Sequence, residues 1–225
     1  MKHINTVLSI LLALSSLSCF GQSVQKNLTK AEFDSVKYFC PDFEAGIVVF
    51  NDGAKENGAV NIDAMDQKVM FVSDDGQKKV LTNNNSVDRV IIGRRVFYFR
   101  GGKFIELVDF NGEAGLGKSL TVTLIESQTK GAYGYVSQTT SIKQVSSIYD
   151  GSGQYYDTNE RDMINVIIKN VPYIFRDGKF TRASKKLMLK SFPDKKQAIG
   201  EYLEASSVDF ENYEQVEKLY NTAIK

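Results

Sequence analysis

Short apolar runs, each closed by a pair of turn-forming residues, constrain this chain more than any other feature. Gly46–Phe50, Val69–Val72, Val90–Ile92, Val96–Phe99, Phe104–Phe110 and Leu120–Ile125 are rich in β-branched and aromatic side chains, which suit a pleated, half-buried surface. Between them stand Asp52-Gly53, Asp75-Gly76, Gly101-Gly102 and Asn111-Gly112, pairs that tolerate the positive φ of tight hairpins. In Leu120-Thr121-Val122-Thr123-Leu124 the apolar residues alternate with threonine, as when one sheet face packs and the other is wet. Two further strands are expected at Met163–Ile168 and Pro172–Arg176. The pattern predicts a mainly β (β-rich α+β) protein: an antiparallel meander forming a sandwich or partly open barrel.

One hairpin sequence has an echo. Phe99-Arg100-Gly101-Gly102-Lys103-Phe104 is matched by Phe175-Arg176-Asp177-Gly178-Lys179-Phe180. Each reads as a two-residue turn flanked by aromatic residues, and because the flanks diverge this is recurring turn chemistry rather than duplication.

Helical signals lie at the two ends. Thr29 and Glu32 have capping-box spacing, which predicts a short helix over Lys30–Phe39. Another short helix is expected at Ser184–Lys190. Asp194 with Gln197, and Asn212 with Gln215, repeat a cap-plus-amide spacing at two helix starts. Ala198, Ile199, Tyr202 and Leu203 share one helical face, and Val216, Leu219, Tyr220 and Ala223 share another. Two or three C-terminal helices should therefore cover part of the sheet.

The first residues read as an export leader. Lys2 and His3 precede the apolar Val7–Leu17, and small residues follow at Ser18 and Gly21. Eleven such residues span about half of a roughly 30 Å hydrocarbon core, too few for a transmembrane helix. Cleavage after Gly21 leaves Gln22 first. The alternative is lipidation of Cys19 within Ser16-Leu17-Ser18-Cys19, although Ser16 stands where a lipobox usually has Leu. The expected organisation is a signal peptide at 1–21, a lead-in at 22–45, an antiparallel β domain at 46–183 and a C-terminal helical segment at 184–225. The expected location is periplasmic, outer-membrane-associated or secreted, with membrane anchoring only through a lipid on Cys19.

Composition excludes much chemistry. Removing 1–21 takes Lys2 and leaves 27 basic and 27 acidic side chains, which gives no electrostatic case for nucleic acid. It also removes His3, the sole histidine, and with it Ser-His-Asp or Cys-His nucleophile arrangements and the usual His-containing zinc sites. No metal or cofactor is expected. There is no Trp, so stacking on a sugar would fall to Tyr or Phe. Cys40 remains alone and reads as a small buried hydrophobe.

Gly112-Glu113-Ala114-Gly115-Leu116-Gly117-Lys118-Ser119 satisfies the G-x4-G-K-[ST] pattern of a phosphate-binding loop. Such a loop must open a helix, whereas Leu120–Ile125 reads as a strand. The expectation is a glycine-rich hairpin loop with an exposed Lys118. The acids Glu106, Asp109, Glu113 and Glu126 fall near strand ends as candidates for a carboxylate pair, which a glycosidase needs about 5–10 Å apart. Asp150–Glu160 is rich in oxygen ligands but lacks EF-hand spacing, so it reads as a polar turn. The long segment 126–154, dominated by Ser, Thr, Gly and Gln, carries Tyr133, Tyr135 and Tyr149, with Tyr155 and Tyr156 just beyond. These tyrosines are the candidate binding residues, because Tyr couples apolar area to a hydroxyl at low entropic cost. The competing reading folds their rings back onto the sheet as core lids.

Several features together resemble a group of uncharacterised exported β-rich proteins of Bacteroidetes bacteria. They are the leader ending at Phe20-Gly21-Gln22, the hairpin at Asp52-Gly53 followed by Val60-Asn61-Ile62-Asp63, Val87–Gly93 before Phe97, Ala132-Tyr133-Gly134, and Phe192-Pro193-Asp194-Lys195-Lys196. The resemblance implies export and a β-rich body with a helical tail, and it carries no activity or catalytic residue across. The expected function is a non-catalytic envelope or secreted protein that binds another protein or a surface polymer. The alternative is a carboxylate-dependent hydrolase of envelope polysaccharide.

Overall fold

The computed structural model describes residues 23–125 and 164–225. The chain builds one sheet from β1 (Val24–Leu28), β2 (Glu44–Phe50), β3 (Lys55–Asp63), β4 (Lys68–Val72), β5 (Lys78–Val80), β6 (Val87–Ile92), β7 (Arg95–Arg100), β8 (Lys103–Phe110), β9 (Ala114–Leu124), β10 (Ile164–Arg176) and β11 (Lys179–Arg182). The spatial order is β1-β10-β9-β8-β7-β6-β2-β3-β4-β5, and every neighbouring pair is antiparallel. Strand β11 also pairs with β10, along Tyr173–Arg176, while β1 pairs along Ile164–Ile168. The sheet is open rather than a closed barrel.

The hairpin glycines behave as their turns require: Gly53, Gly76, Gly102, Gly112 and Gly178 all have positive φ. The two echoed sequences are both hairpins, with Phe99 opposite Phe104 and Phe175 opposite Phe180.

Although open, the sheet curls until the β3–β4 turn reaches β8 and β9. Gln67, at φ 54°, donates its side-chain amide to the carbonyls of Ala64 and Leu120, each at 2.9 Å. Its Oε1 accepts the Phe104 N–H at 2.9 Å, and the Ala64 carbonyl accepts the Val122 N–H at 3.2 Å. One buried amide thus satisfies backbone groups from three strands or turns, groups that would be costly to leave unpaired in a core.

Side chains alternate faces along a strand, so the inner face can be read by parity. It carries two apolar clusters. Ile62, Val69, Val90, Phe97, Phe104, Val122 and Val166 fill the curl. Ala114 and Leu116 of β9 and Ile174 of β10 pack under the C-terminal helices. These are α2 (Lys185–Ser191), α3 (Lys196–Ala205) and α4 (Tyr213–Ala223), preceded by the N-terminal α1 (Lys30–Val36). The helix α1 opens with the expected capping box between Thr29 and Glu32, and it ends three residues before Phe39. Ser184 caps α2 and Asn212 caps α4 through side-chain oxygens. Asp194 does not cap α3: it lies in the 3-10 turn Pro193–Lys195, and α3 starts at Lys196 without a side-chain cap. Proline at the first position of that turn fixes a helical φ two residues early and displaces the cap.

No helix among the described residues is long and apolar enough to cross a membrane.

Candidate functional site

Between the two inner clusters runs a polar row. Glu106 of β8 lies opposite Lys118 of β9, and Arg95 reaches it from β7. The Arg95 guanidinium donates from Nε to Glu106 Oε1 at 2.7 Å and from Nη2 to Oε2 at 2.8 Å, a bidentate pair. The third nitrogen, Nη1, donates to the Phe39 carbonyl at 2.9 Å and approaches Cys40 Sγ at 3.3 Å. Lys118 Nζ stands 3.5 Å from Glu106 Oε2 and 5.2 Å from the Tyr213 ring centroid. Burial raises the Glu106 pKa, but the Arg95 hydrogen bonds and the Lys118 charge outweigh it and hold the carboxyl below its ordinary value. That is opposite to the raised pKa of a general acid. Burial likewise pushes the Cys40 thiol up, against the pull of Arg95, so it is a poor nucleophile at neutral pH.

The phosphate-loop pattern resolves into strand. Gly112 sits in the β8–β9 turn at φ 102°, and Ala114 onward is β9. Lys118 is therefore not the exposed loop residue expected from sequence: it is partly buried, mid-strand, and paired with Glu106. The glycines serve packing. A Cβ at Gly117 would stand 2.9 Å from the Phe180 ring and 3.2 Å from Ile105 Cγ2, and one at Gly115 would fall 2.2 Å from the Asp109 carbonyl oxygen. With no side chains there, aromatic rings lie across the outer face of β9.

Those rings come from four strands. Phe175 of β10 has its ring centroid 4.8 Å from Phe180 of β11, 5.5 Å from Phe110 of β8 and 6.2 Å from Tyr98 of β7. Tyr98 also meets Phe180 at 5.5 Å and carries the Arg100 guanidinium 5.4 Å from its centroid. Arg100 is itself held by the Asp88 carboxylate at 2.6 Å. Phe110 is 46% exposed and its neighbour Val108, at a bulge in β8, is 38% exposed. The echoed hairpins make the contrast plain. Phe99 and Phe104 also sit 4.8 Å apart, but Phe104 is fully buried in the inner cluster, whereas the same pair on β10–β11 faces outward.

A cavity of about 350 Å³ opens at the other end of the sheet, lined by Val48, Val60, Val69, Phe71 and Leu81, with Gly58 in its wall. Glu56 and Asp74 also line it.

Of the acids singled out from sequence, Glu106 is locked in the polar row and Asp109 pairs with Lys225 at 3.3 Å. Glu113 lies at the β8–β9 turn with its N–H bonded to Asn111. The acids that the fold does bring to one cavity, Glu56 and Asp74, were not anticipated, because their shared wall depends on the β2–β3–β4 register. Glu126, the tyrosines Tyr133, Tyr135, Tyr149, Tyr155 and Tyr156, the Asp150–Glu160 segment and Cys19 lie outside the described residues. Among the described residues, no group of three or more His, Cys, Asp or Glu side chains is placed to hold a metal ion.

Comparison with known proteins finds no matching family model, no matching curated protein and no matching solved structure.

Proposed function

We propose that this chain is an exported, non-catalytic envelope or secreted protein that binds another protein or a surface polymer. The observation that carries this reading is the outward aromatic face of Tyr98, Phe110, Phe175 and Phe180 over Gly115 and Gly117. Apolar rings left at a surface with a polar rim mark interaction sites, and stacked rings suit both a protein side chain and the flat face of a sugar. The leader at residues 1–21 supplies the argument for export.

The test pairs two variants of the natively produced protein. Phe110→Ser with Tyr98→Ala removes the face, and deletion of 128–152 removes the tyrosine-bearing segment. Loss of bound partner or polymer with the first variant supports the face. Loss with only the deletion moves the site to the tyrosines, and retention by both refutes the binding reading. Intact mass of the same material separates a chain starting at Gln22 from one lipidated on Cys19.

The second reading, a carboxylate-dependent hydrolase of envelope polysaccharide, draws on Glu56 and Asp74, which share one cavity. Both acids are exposed, whereas a general acid needs burial to raise its pKa, so binding is the preferred conclusion. Release of reducing ends from envelope polysaccharide, abolished by Glu56→Gln, would reverse that preference.

A further inference from the structure

We infer that the cavity between β2 and β5 is a binding site for a small organic cation with an apolar body. The inference stands apart from the outer aromatic face, since the cavity belongs to the inner face of the sheet.

The site exists because of one missing side chain. Glu56, Gly58 and Val60 share the inner face of β3 by alternation, and Val48 of β2 stands opposite Glu56. A Cβ built on Gly58 would meet only Val60 Cγ1, at 4.0 Å. Any larger residue would extend into open space that Val69 and Phe71 of β4 and Leu81 border from the other side. The C-terminal helices do not fill this space: they pack on the Ala114, Leu116 and Ile174 end of the sheet. At about 350 Å³ the cavity falls near the lower end of the range for ligand pockets, roughly 300–1,000 Å³. Its partly buried Phe71 and Leu81 would gain from losing water to an apolar ligand.

Charge selects the ligand class. Glu56 and Asp74 are both exposed residues in the cavity lining, and among the described residues neither has an ion pair or side-chain hydrogen bond. Lys79, the near cation on β5, is committed to Asp75 at 3.2 Å. The wall therefore presents two negative charges beside an apolar interior of Val48, Val60, Val69, Phe71 and Leu81, with Asn57 and Ser73 also in the lining. An alkyl or aryl ammonium satisfies both, whereas a carboxylate of the same shape meets repulsion. One such charge at contact distance in water is worth about fivefold in affinity, and the second, farther and screened, brings the advantage to about tenfold.

Titration of the full chain with octylammonium, octan-1-ol and octanoate, each below its aggregation limit, tests this by chemical shift of the Gly58 amide and by calorimetry. Octylammonium should saturate with about tenfold higher affinity than octanol, and octanoate should bind weakest. Glu56→Gln with Asp74→Asn should erase the advantage of the ammonium and leave octanol unchanged. Gly58→Leu, in a variant whose circular dichroism matches the parent, should abolish binding of both. Should Gly58→Leu fail to fold, the exposed carboxylate double variant still decides. Equal affinity for all three probes, no shift at Gly58, or binding that survives a folded Gly58→Leu would overturn the assignment. So would binding of only a lysine-flanked apolar peptide, because the site would then belong to a protein partner.

Discussion

The side-chain oxygen of Gln67 accepts the backbone N–H of Phe104 at 2.9 Å, joining residues 37 positions apart. The bond links the β3–β4 turn to the start of β8, and Gln67 Nε2 extends the link to Leu120 of β9. An open sheet has no strand pairing to close it, so this amide stands where a barrel would have a ladder.

Gln67→Ala therefore strands the Phe104 N–H in the core and takes one donor from the Leu120 carbonyl, while the Ala64 carbonyl keeps the Val122 N–H. The expected loss is about 2–3 kcal/mol, the cost of leaving buried polar groups unpaired. Urea unfolding gives the magnitude. Native-state hydrogen exchange gives the location, with the Phe104 amide exchanging faster while amides in the β10–β11 hairpin keep their protection. Unchanged protection at Phe104 would show that the curl does not depend on Gln67.

Glu106→Gln removes the negative charge and one of the two acceptor oxygens of a bidentate pair, puts an NH2 donor against Arg95 Nη2, and leaves the guanidinium without its counter-ion. Breaking such a pair costs about 3 kcal/mol, at the low end for buried pairs because Arg95 is partly exposed. The pH dependence follows from the lowered pKa of Glu106. The unfolded chain takes up this proton near its ordinary value of 4.5, and the folded protein only at lower pH. The stabilisation is therefore complete above pH 4.5 and is lost as pH falls through the folded pKa. The variant should show a flatter acid limb than the parent in stability measured from pH 6 to 3. Parallel limbs would refute the assignment.

Gly117→Ala should destabilise by about 1–2 kcal/mol, as overpacking does when a ring must move. The added methyl meets Phe180 and Ile105. Gly115→Ala should cost more, since its neighbour is the Asp109 backbone oxygen, which cannot swing aside as a ring can. Near-ultraviolet circular dichroism of the Tyr98–Phe175–Phe180 group should change for Gly117→Ala. Neither variant should alter ATP affinity, which should be undetectable in the parent too; saturable ATP binding would restore the phosphate-loop reading.

Cys40 is 1% exposed, and burial keeps its pKa raised. Its reaction with a thiol reagent at pH 8 should be governed by opening of the fold, with full modification only in denaturant. Fast stoichiometric labelling of the native protein would contradict this.

The hairpins were legible in the sequence because their requirements are local. Asp52-Gly53, Asp75-Gly76, Asn111-Gly112 and both aromatic hairpins turn where glycine permits a positive φ. The Asn212 cap and the apolar stripe of α4 were equally local. Strand β3 was not legible as a whole: Lys55-Glu56-Asn57-Gly58 is polar and exposed, and only pairing with β2 makes it strand. Strand β1 escaped for the same reason, with four of its five residues exposed and its partner 140 positions away. The outer aromatic face was hidden because parity decides it. One phenylalanine pair points in and its twin points out, and the hairpin sequence is nearly the same for both.

The pairing of Val24–Leu28 with Ile164–Ile168 has a temporal consequence. A ribosome finishes β1 long before it makes the strand that β1 needs, so an early segment must wait as an unpaired ribbon. Contacts this distant along the chain slow closure. Maturation of the sheet edge is thus coupled to completion of synthesis, and a nascent chain halted before residue 164 carries a strand with nothing to hold.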